Sequence, residues 1–376
     1  AITTTWGARD ANWFFDFPLS AKKIIGFLEA SELYRQHSIE FEGAISINFR
    51  VIEDILKVLG PIELEEYQLT ITPENFLTEV QREVESGEDK TYGEPKRILK
   101  VLTPKIIQKV KEAGADKLFS MLKAVEYRIG QKDVMAFMKN GELQNFVAEL
   151  GLSGESYKLP PDFWGSYLAV VNSNIAGGKT DAYIDDDIVF LSEIDSTGRI
   201  YEKTLLTRTH RGSEAPDFWL WKKDNQNFTK IFLAPDSLLV SVKNNSEKKI
   251  TPPLNYERLK YEIDPDVKEV ESTMKLLPNN VWEMRESGKK VFASWFNIRA
   301  DESKTLELTT ERDGSLNPEG KYHFVFDKQS GVNSKISIRV SAPPGHKWKE
   351  TDDTEFTYSN PNPPKRIIIS LSLEEI

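Results

Sequence analysis

The sequence predicts a multidomain α+β protein, with a helix-rich first part carrying a few short strands and a long antiparallel β-sandwich region after it. Three observations carry this. Apolar residues recur at helical spacing up to residue 150. From Tyr157 onward they fall in short strand-like runs separated by Gly, Pro and Asn. The length, 376 residues, corresponds to about two domains at roughly 100–200 residues each. The change of pattern places an α/β domain with a helical extension at 1–151 and the β region at 152–376, as one large sandwich or two small ones.

In the first part, Ser20 can cap a helix carrying Ile24, Ile25, Phe27 and Leu28. Gly43–Ile47 is an apolar run suited to a buried strand, and Val51, Ile52, Ile55, Leu56 and Leu59 form a helical stripe closed by Gly60-Pro61. With Ile62 and Leu64 as the next strand, this reads as a β-α-β fragment. Thr72-Pro73-Glu74 starts a helix that breaks at Ser86-Gly87. Further helices are expected over 98–110, 116–139 and 141–150. In the β region, strands at 184–194 and 200–209 flank the turn Asp195-Ser196-Thr197-Gly198, and others are expected near 167–171, 231–233, 238–242, 291–298, 305–309, 322–326, 336–340 and 367–373. Leu254 to Asn280 reads as an irregular insertion with one helix.

Composition narrows the function. Hydrophobic residues at 39% and charged residues at 29% support folded cores. The net charge of -10 supplies no broad positive field, so no nucleic acid partner is expected. The absence of cysteine excludes disulfides, thiolate nucleophiles and cysteine-based metal sites. No run approaches the ~18–20 apolar residues of a membrane-spanning helix. The first residues have no signal-peptide pattern, and a start without Met is expected of a fragment or a processed product.

Catalytic signals are sparse. His37, His210, His323 and His346 have no metal-ligand spacing. Gly177-Gly178-Lys179-Thr180 partly matches a phosphate loop but lacks its first glycine, and is read as a turn. Asp185-Asp186-Asp187 could hold a hard cation such as Ca²⁺, but alternate residues of a strand face opposite ways and only two of the three could converge, so it reads first as a solvated strand edge. Trp219, Trp221 and Trp348 are either core residues or, if exposed, a carbohydrate contact. The densest polar cluster runs from Arg9 through Asp10, Asn12 and Asp16 to Pro18, with Trp13, Phe14, Phe15 and Phe17 between. Such a cluster can hold a pyrophosphate, with Arg as donor, a helix N-terminus attracting the anion and carboxylates holding Mg²⁺. It can equally be a structural hub, with Arg9 paired to an Asp and the aromatics in the core.

Arg9-Asp10-Ala11-Asn12-Trp13, with Asp16-Phe17-Pro18 and Ser20-Ala21, resembles the RDANW-x-x-DFP-x-SA signature of a bacterial envelope family of unknown function. That family is distantly similar to the LytR-CpsA-Psr phosphotransferases. Softer blocks follow in order: Gly43–Ile47, Leu59–Ile62, Thr72–Phe76, Pro95–Leu99, Asn172–Ile175 with Gly177–Lys179, and Asp327–Gly331. The resemblance implies a partial α/β/α LytR-CpsA-Psr-like domain with extra helices, followed by an Ig-like β-sandwich. It places the protein on the extracellular face of the bacterial envelope, anchored by an N-terminal membrane helix absent from this chain. Two roles follow: a structural or binding protein using the first domain as scaffold, or a Mg²⁺-dependent phosphotransferase attaching glycopolymers from polyprenyl-pyrophosphate carriers to the cell wall. In the second, Arg9, Asn12, Arg82, Lys96 and Arg97 would bind pyrophosphate, and Asp10 and Asp16 the metal. The family's upstream block, an Asn-Glu-Leu-Arg segment and a Gly-Gly-Phe-Ile-Gly strand, has no counterpart here. The expected partners are therefore an upstream segment or a second chain completing the first domain, a polyprenyl-linked glycan or cell-wall glycopolymer, and further copies in self-assembly.

Overall fold

The computed structural model describes residues 6–91, 93–216, 219–248, 255–314, 316 and 321–376. It divides into two compact units, one ending at Glu155 and the other running from Ser156 to Ile376. The division falls four residues beyond the expected one. Leu254, where the irregular insertion was expected to start, lies outside the described residues.

In the first unit, α1 (Phe17–Ala30) begins where the Asp16 carboxylate accepts the Leu19 backbone N–H at 3.2 Å, with Pro18 in the first turn. A short α2 (Glu32–Gln36) leads to β1 (Gly43–Ile47). Asn48 caps α3 (Phe49–Leu59), and Gly60 ends it at φ +82, a conformation that favours glycine. β2 (Ile62–Leu64) and β3 (Leu69–Ile71) follow. The strand-helix-strand stretch does not form a parallel β-α-β unit. β2 pairs antiparallel with β3, while β1 pairs antiparallel with β4 (Val134–Met138). The cause is local: the single 3-10 turn Glu65–Tyr67, with Gln68 at φ +50, folds β2 straight onto β3.

The next helix starts at Phe76, later than expected, because the Asn75 side chain accepts the Thr72 N–H (2.8 Å) and holds Thr72–Asn75 as a turn. After α4 (Phe76–Ser86) and α5 (Glu88–Thr91) come α6 (Arg97–Lys111) and α7 (Ala115–Gly130). The helix expected to reach 139 stops at Gly130. Lys132 takes φ +65, and the apolar run after it becomes β4 rather than another helical turn. α8 (Gly141–Glu149) closes the unit. Two small cores result. Phe17, Ala21 and Ile25 of α1 pack on Met135 and Phe137 of β4. Leu56, Ile62, Leu64, Ile71, Phe76, Ile98 and Leu102 form the other. Arg128 links α3 to the entry of β4, donating from Nε to Asp54 (2.5 Å) and from a terminal nitrogen to Asp133 (3.1 Å).

The second unit is a β-sandwich. Its first strands are β5 (Gly165–Asn174), β6 (Ile184–Ile194), β7 (Ile200–His210), β8 (Asn227–Leu233) and β9 (Leu238–Lys243). The expected insertion holds two short helices, α9 (Tyr256–Leu259) and α10 (Pro265–Ser272), before β10 (Lys275–Leu277). The rest are β11 (Val281–Glu286), β12 (Lys289–Trp295), β13 (Ser303–Arg312), β14 (Lys321–Asp327), β15 (Asn333–Ser341), β16 (His346–Trp348), β17 (Glu355–Asn360) and β18 (Arg366–Glu375). One sheet has the order β10-β11-β12-β8-β5-β14-β18-β16, the other β17-β15-β6-β7-β13-β9. Most pairs are antiparallel, but β5 with β14 and β6 with β15 run parallel. Leu168, Val170, Ile231, Phe292 and Phe324 of the first sheet share one core with Ile188, Phe190, Leu206, Leu308 and Ile338 of the second. The region is therefore one large sandwich.

The inward faces are not wholly apolar. On β7 the buried residues alternate as Ile200, Glu202, Thr204, Leu206, Arg208 and His210. Glu202 accepts the Thr310 hydroxyl at 3.2 Å. Nearby, the Tyr322 hydroxyl lies 2.7 Å from Ser166 Oγ and 3.0 Å from Ser192 Oγ. Burial pushes the Glu202 carboxyl above the ordinary glutamate range, although Ser166 and Arg312 favour its ionised form. A carboxyl raised by folding binds its proton more tightly in the native state. Its contribution to stability is thus full below the unfolded pKa of about 4.3 and is lost as pH rises through the folded value. Glu202→Gln is expected to flatten the pH dependence of urea-unfolding stability above pH ~4.3. An unchanged pH profile would show that Glu202 is not the titrating group.

Candidate functional site

The residues expected to form a phosphate and metal site are spread over several elements. Arg9 and Asp10 share a 3-10 turn and their side chains pair with each other at 3.4 Å, with the Arg9 side chain 77% exposed. Asn12 is exposed. Asp16 caps α1. The aromatic half of the motif is a packed hub: Phe14, Phe15 and Phe17 are buried, and Ser20 both accepts from the Phe14 N–H (3.1 Å) and donates to its carbonyl (3.0 Å). Arg82, on α4, pairs with Glu79. Lys96 is exposed at the start of α6. Arg97 pairs with Glu66 and with Asp89 (3.3 Å) and lies over the Tyr67 ring. The Tyr67 hydroxyl donates to the same Asp89 at 2.5 Å, and burial and that carboxylate push the phenol well above its usual range. Among the described residues, no three His, Asp or Glu side chains are grouped to hold a metal.

The most developed polar constellation lies at one end of the sandwich interior. Asp186 sits on the inward phase of β6, between Ile184 and Ile188, while its neighbours turn outward: Asp185 to Arg211 (2.6 Å) and Asp187 to Lys335 (3.1 Å). Arg208 on β7 is buried and donates from Nε to Asp186 at 2.9 Å. The other Asp186 oxygen accepts from Asn172 of β5 at 2.7 Å, which carries the interaction into the opposite sheet. Asn172 Oδ1 in turn accepts from Asn227 (2.8 Å) and Thr229 (3.1 Å) of β8. Gln329 bonds both backbone groups of Asn172, at 2.8 and 2.9 Å. A terminal nitrogen of Arg208 donates to Asn225 at 2.8 Å, and Asn225 donates to Thr180 (2.8 Å) and Asp181 (3.0 Å). Asn174 also donates to Asp181, at 2.9 Å. Burial raises Asp186 above the ordinary aspartate range, against the pull of Arg208 beside it.

This network fixes the loops at that end. The Gly177–Thr180 stretch is a turn, as expected, leading into a 3-10 helix. A Cβ at Gly177 would lie 2.4 Å from the Gln226 nitrogen, and Gly178 takes φ +73 and would place a Cβ 2.4 Å from the Leu220 carbonyl oxygen. The turn therefore docks closely on the segment Leu220–Gln226. Trp221 is buried in that segment, with Tyr183 packed on it, and Trp348 is buried in the core. Trp219 is 60% exposed, and Lys223 Nζ lies 4.2 Å from its ring centroid. The arrangement offers one exposed aromatic surface and an adjacent cation, Lys223, next to a docked segment.

The sequence marks Asn172–Ile175 and Asp327–Gly331 only through resemblance and Gly177–Lys179 also through a partial phosphate-loop pattern, and it does not mark Asp186, Arg208 and Asn225 as a set. The available signal was a charged residue on the inward phase of an alternating strand. No family model matches the chain, and no curated protein matches it. Among solved structures, a crystal structure from Legionella pneumophila described as "a putative nutrient binding protein" aligns with a TM-score of 0.31 and 8% identity, covering 56% of this chain and 71% of that one. A likeness that slight carries no argument.

Arg208→Met would strand the buried Asp186 and Asn225 and is expected to cost about 3–5 kcal/mol in denaturant unfolding. Combining it with Asp186→Asn should recover part of that loss. Strict additivity of the two single changes would show that the pair is not coupled.

Proposed function

We propose that the chain is a bacterial cell-surface protein with a binding role. In this reading the first unit is a LytR-CpsA-Psr-like scaffold and the second, an Ig-like sandwich, presents the ligand-contacting loop. The observation that carries it is Trp219. Of three tryptophans considered for carbohydrate contact, it alone is exposed, on a segment braced from beneath by the Arg208 network. The partner class is a cell-wall glycopolymer. A sugar face stacks on an indole, and the exposed Lys223 beside it favours anionic groups along the polymer. The pairing of Arg9, Arg82 and Arg97 with carboxylates favours this reading over glycopolymer phosphotransfer, because each guanidinium charge is already offset where it stands.

Two measurements test the proposal. Co-sedimentation with purified anionic cell-wall glycopolymer should retain the protein. Trp219→Ala should lower its affinity at least tenfold, a loss of about 1.4 kcal/mol, with no change in melting temperature. Native mass spectrometry with polyprenyl pyrophosphate and Mg²⁺ should give the bare protein mass. A bound lipid mass lost in Arg9→Ala would overturn the proposal in favour of the transferase.

A further inference from the structure

The join of α6 and α7 carries lysines and exposed apolar side chains together. Between Lys111 and Lys123 only Ala113 and Met121 are not exposed. Leu118, Phe119 and Leu122 share one side of α7, and Phe119 and Leu122 are 59% and 67% exposed. Ile107, near the end of α6, is exposed as well. The corner they share is set by bonds at its two sides. Arg128 reaches Asp54, and the Asn48 N–H donates to the Asp133 carbonyl, so the end of α7 lies by the beginning of α3. The start of α7 lies toward the other end of α3, where Lys109 of α6 donates to the Pro61 carbonyl at 2.8 Å. The lysines here are not offset. Lys105, Lys109, Lys111, Lys117 and Lys123 follow one another with only Glu112 and Asp116 among them, five cations against two acids in a chain of net charge -10. Lys105 donates to the Glu63 carbonyl at 3.0 Å, so its hydrogen bond, like that of Lys109, goes to backbone rather than to a carboxylate. Lys123 Nζ lies 4.5 Å from the centroid of the Phe119 ring. Among the described residues, none of the five forms an ion pair.

We propose that this corner docks on the surface of a membrane that carries anionic lipid. The two features select the partner together. A soluble polyanion would answer the lysines and leave Phe119 and Leu122 in water. An apolar groove on another protein would answer the apolar side chains and leave the lysines without a counter-charge. At a lipid interface the apolar side chains enter the boundary of headgroups and acyl chains, while the ammonium groups, on long flexible stems, stay at the level of the phosphates. Lys123, lying along the Phe119 ring, already has its charge at the rim of the apolar side. With Asp116, Lys117, Lys123, Glu126 and Arg128 along its 16 residues, α7 lies on such a surface rather than across it. This contact belongs to the first unit and does not rest on the Trp219 reading.

Flotation of the full chain with lipid vesicles tests the proposal. The unmodified protein should float with vesicles of phosphatidylcholine containing phosphatidylglycerol, not with phosphatidylcholine alone, and should be released as salt rises. Lys111→Glu combined with Lys117→Glu should lower the partition coefficient at least tenfold, as should Phe119→Ser combined with Leu122→Ser, with circular dichroism confirming that each variant is folded. The absence of cysteine lets Leu122→Cys carry a single polarity-sensitive dye, whose emission should shift to the blue on the anionic vesicles. Trp219→Ala should leave flotation unchanged, which separates this result from that of glycopolymer binding. No flotation with anionic vesicles, or a dye at position 122 that stays in water, would overturn the proposal. Flotation lost on charge reversal but kept in the Phe119→Ser, Leu122→Ser variant would overturn it as well, in favour of a polyanion held by charge alone.

Discussion

The sandwich depends on an ion pair placed where an apolar contact would be the default. Arg208 and Asp186 belong to neighbouring strands of one sheet, and neither can leave the interior. Each has a further hydrogen-bond partner, Asn172 for Asp186 and Asn225 for Arg208, on and beside strands of the other sheet. A buried charge with an incomplete set of partners is far more costly than an apolar residue, so the two sheets can close in only one arrangement at this end. The middle of the core, filled by Phe190, Leu206, Ile231 and Phe324, has no such directionality. The polar end supplies the specificity and the apolar middle supplies most of the driving force.

The segment that follows Trp219 is tied to the same network. Thr180 and Asp181 receive Asn225 directly, so the turn before β6 and the segment before β8 are held by one carboxamide. Exposure of a large aromatic on a surface loop has little meaning by itself. Exposure beside a segment tied down through Arg208, Asn225 and Thr180 is different, because the residues after the indole are already held by hydrogen bonds.

Element types were largely legible in the sequence, and pairing was not. Helical stripes and alternating runs located most strands and helices, because burial on one face leaves a periodic trace. The failures came where a tertiary partner decided the outcome. Val134–Met138 is as apolar as a helical turn, and only pairing with β1 makes it a strand. The three-residue strand β16 left almost no period to read. At the candidate site, Asp186 was hidden inside a run of three aspartates whose composition suggests solvent, although its phase against Ile184, Ile188 and Phe190 places it inside. The Arg9 motif stood out by density, yet density does not tell a packed aromatic hub with a surface ion pair from a ligand cradle.

The two parallel pairings have a consequence for synthesis. Ser166 of β5 stands beside Phe324 of β14, and Asp185 of β6 beside Asn333 of β15. In the larger sheet β18, almost the last segment of the chain, lies between β14 and β16 rather than at an edge. Neither sheet can be completed from its early strands, so hairpins such as β6–β7 must wait with exposed apolar faces until the strands from β14 to β18 have been made. Such a unit exposes apolar surface through most of its synthesis, and its nascent chain is the state most in need of a chaperone.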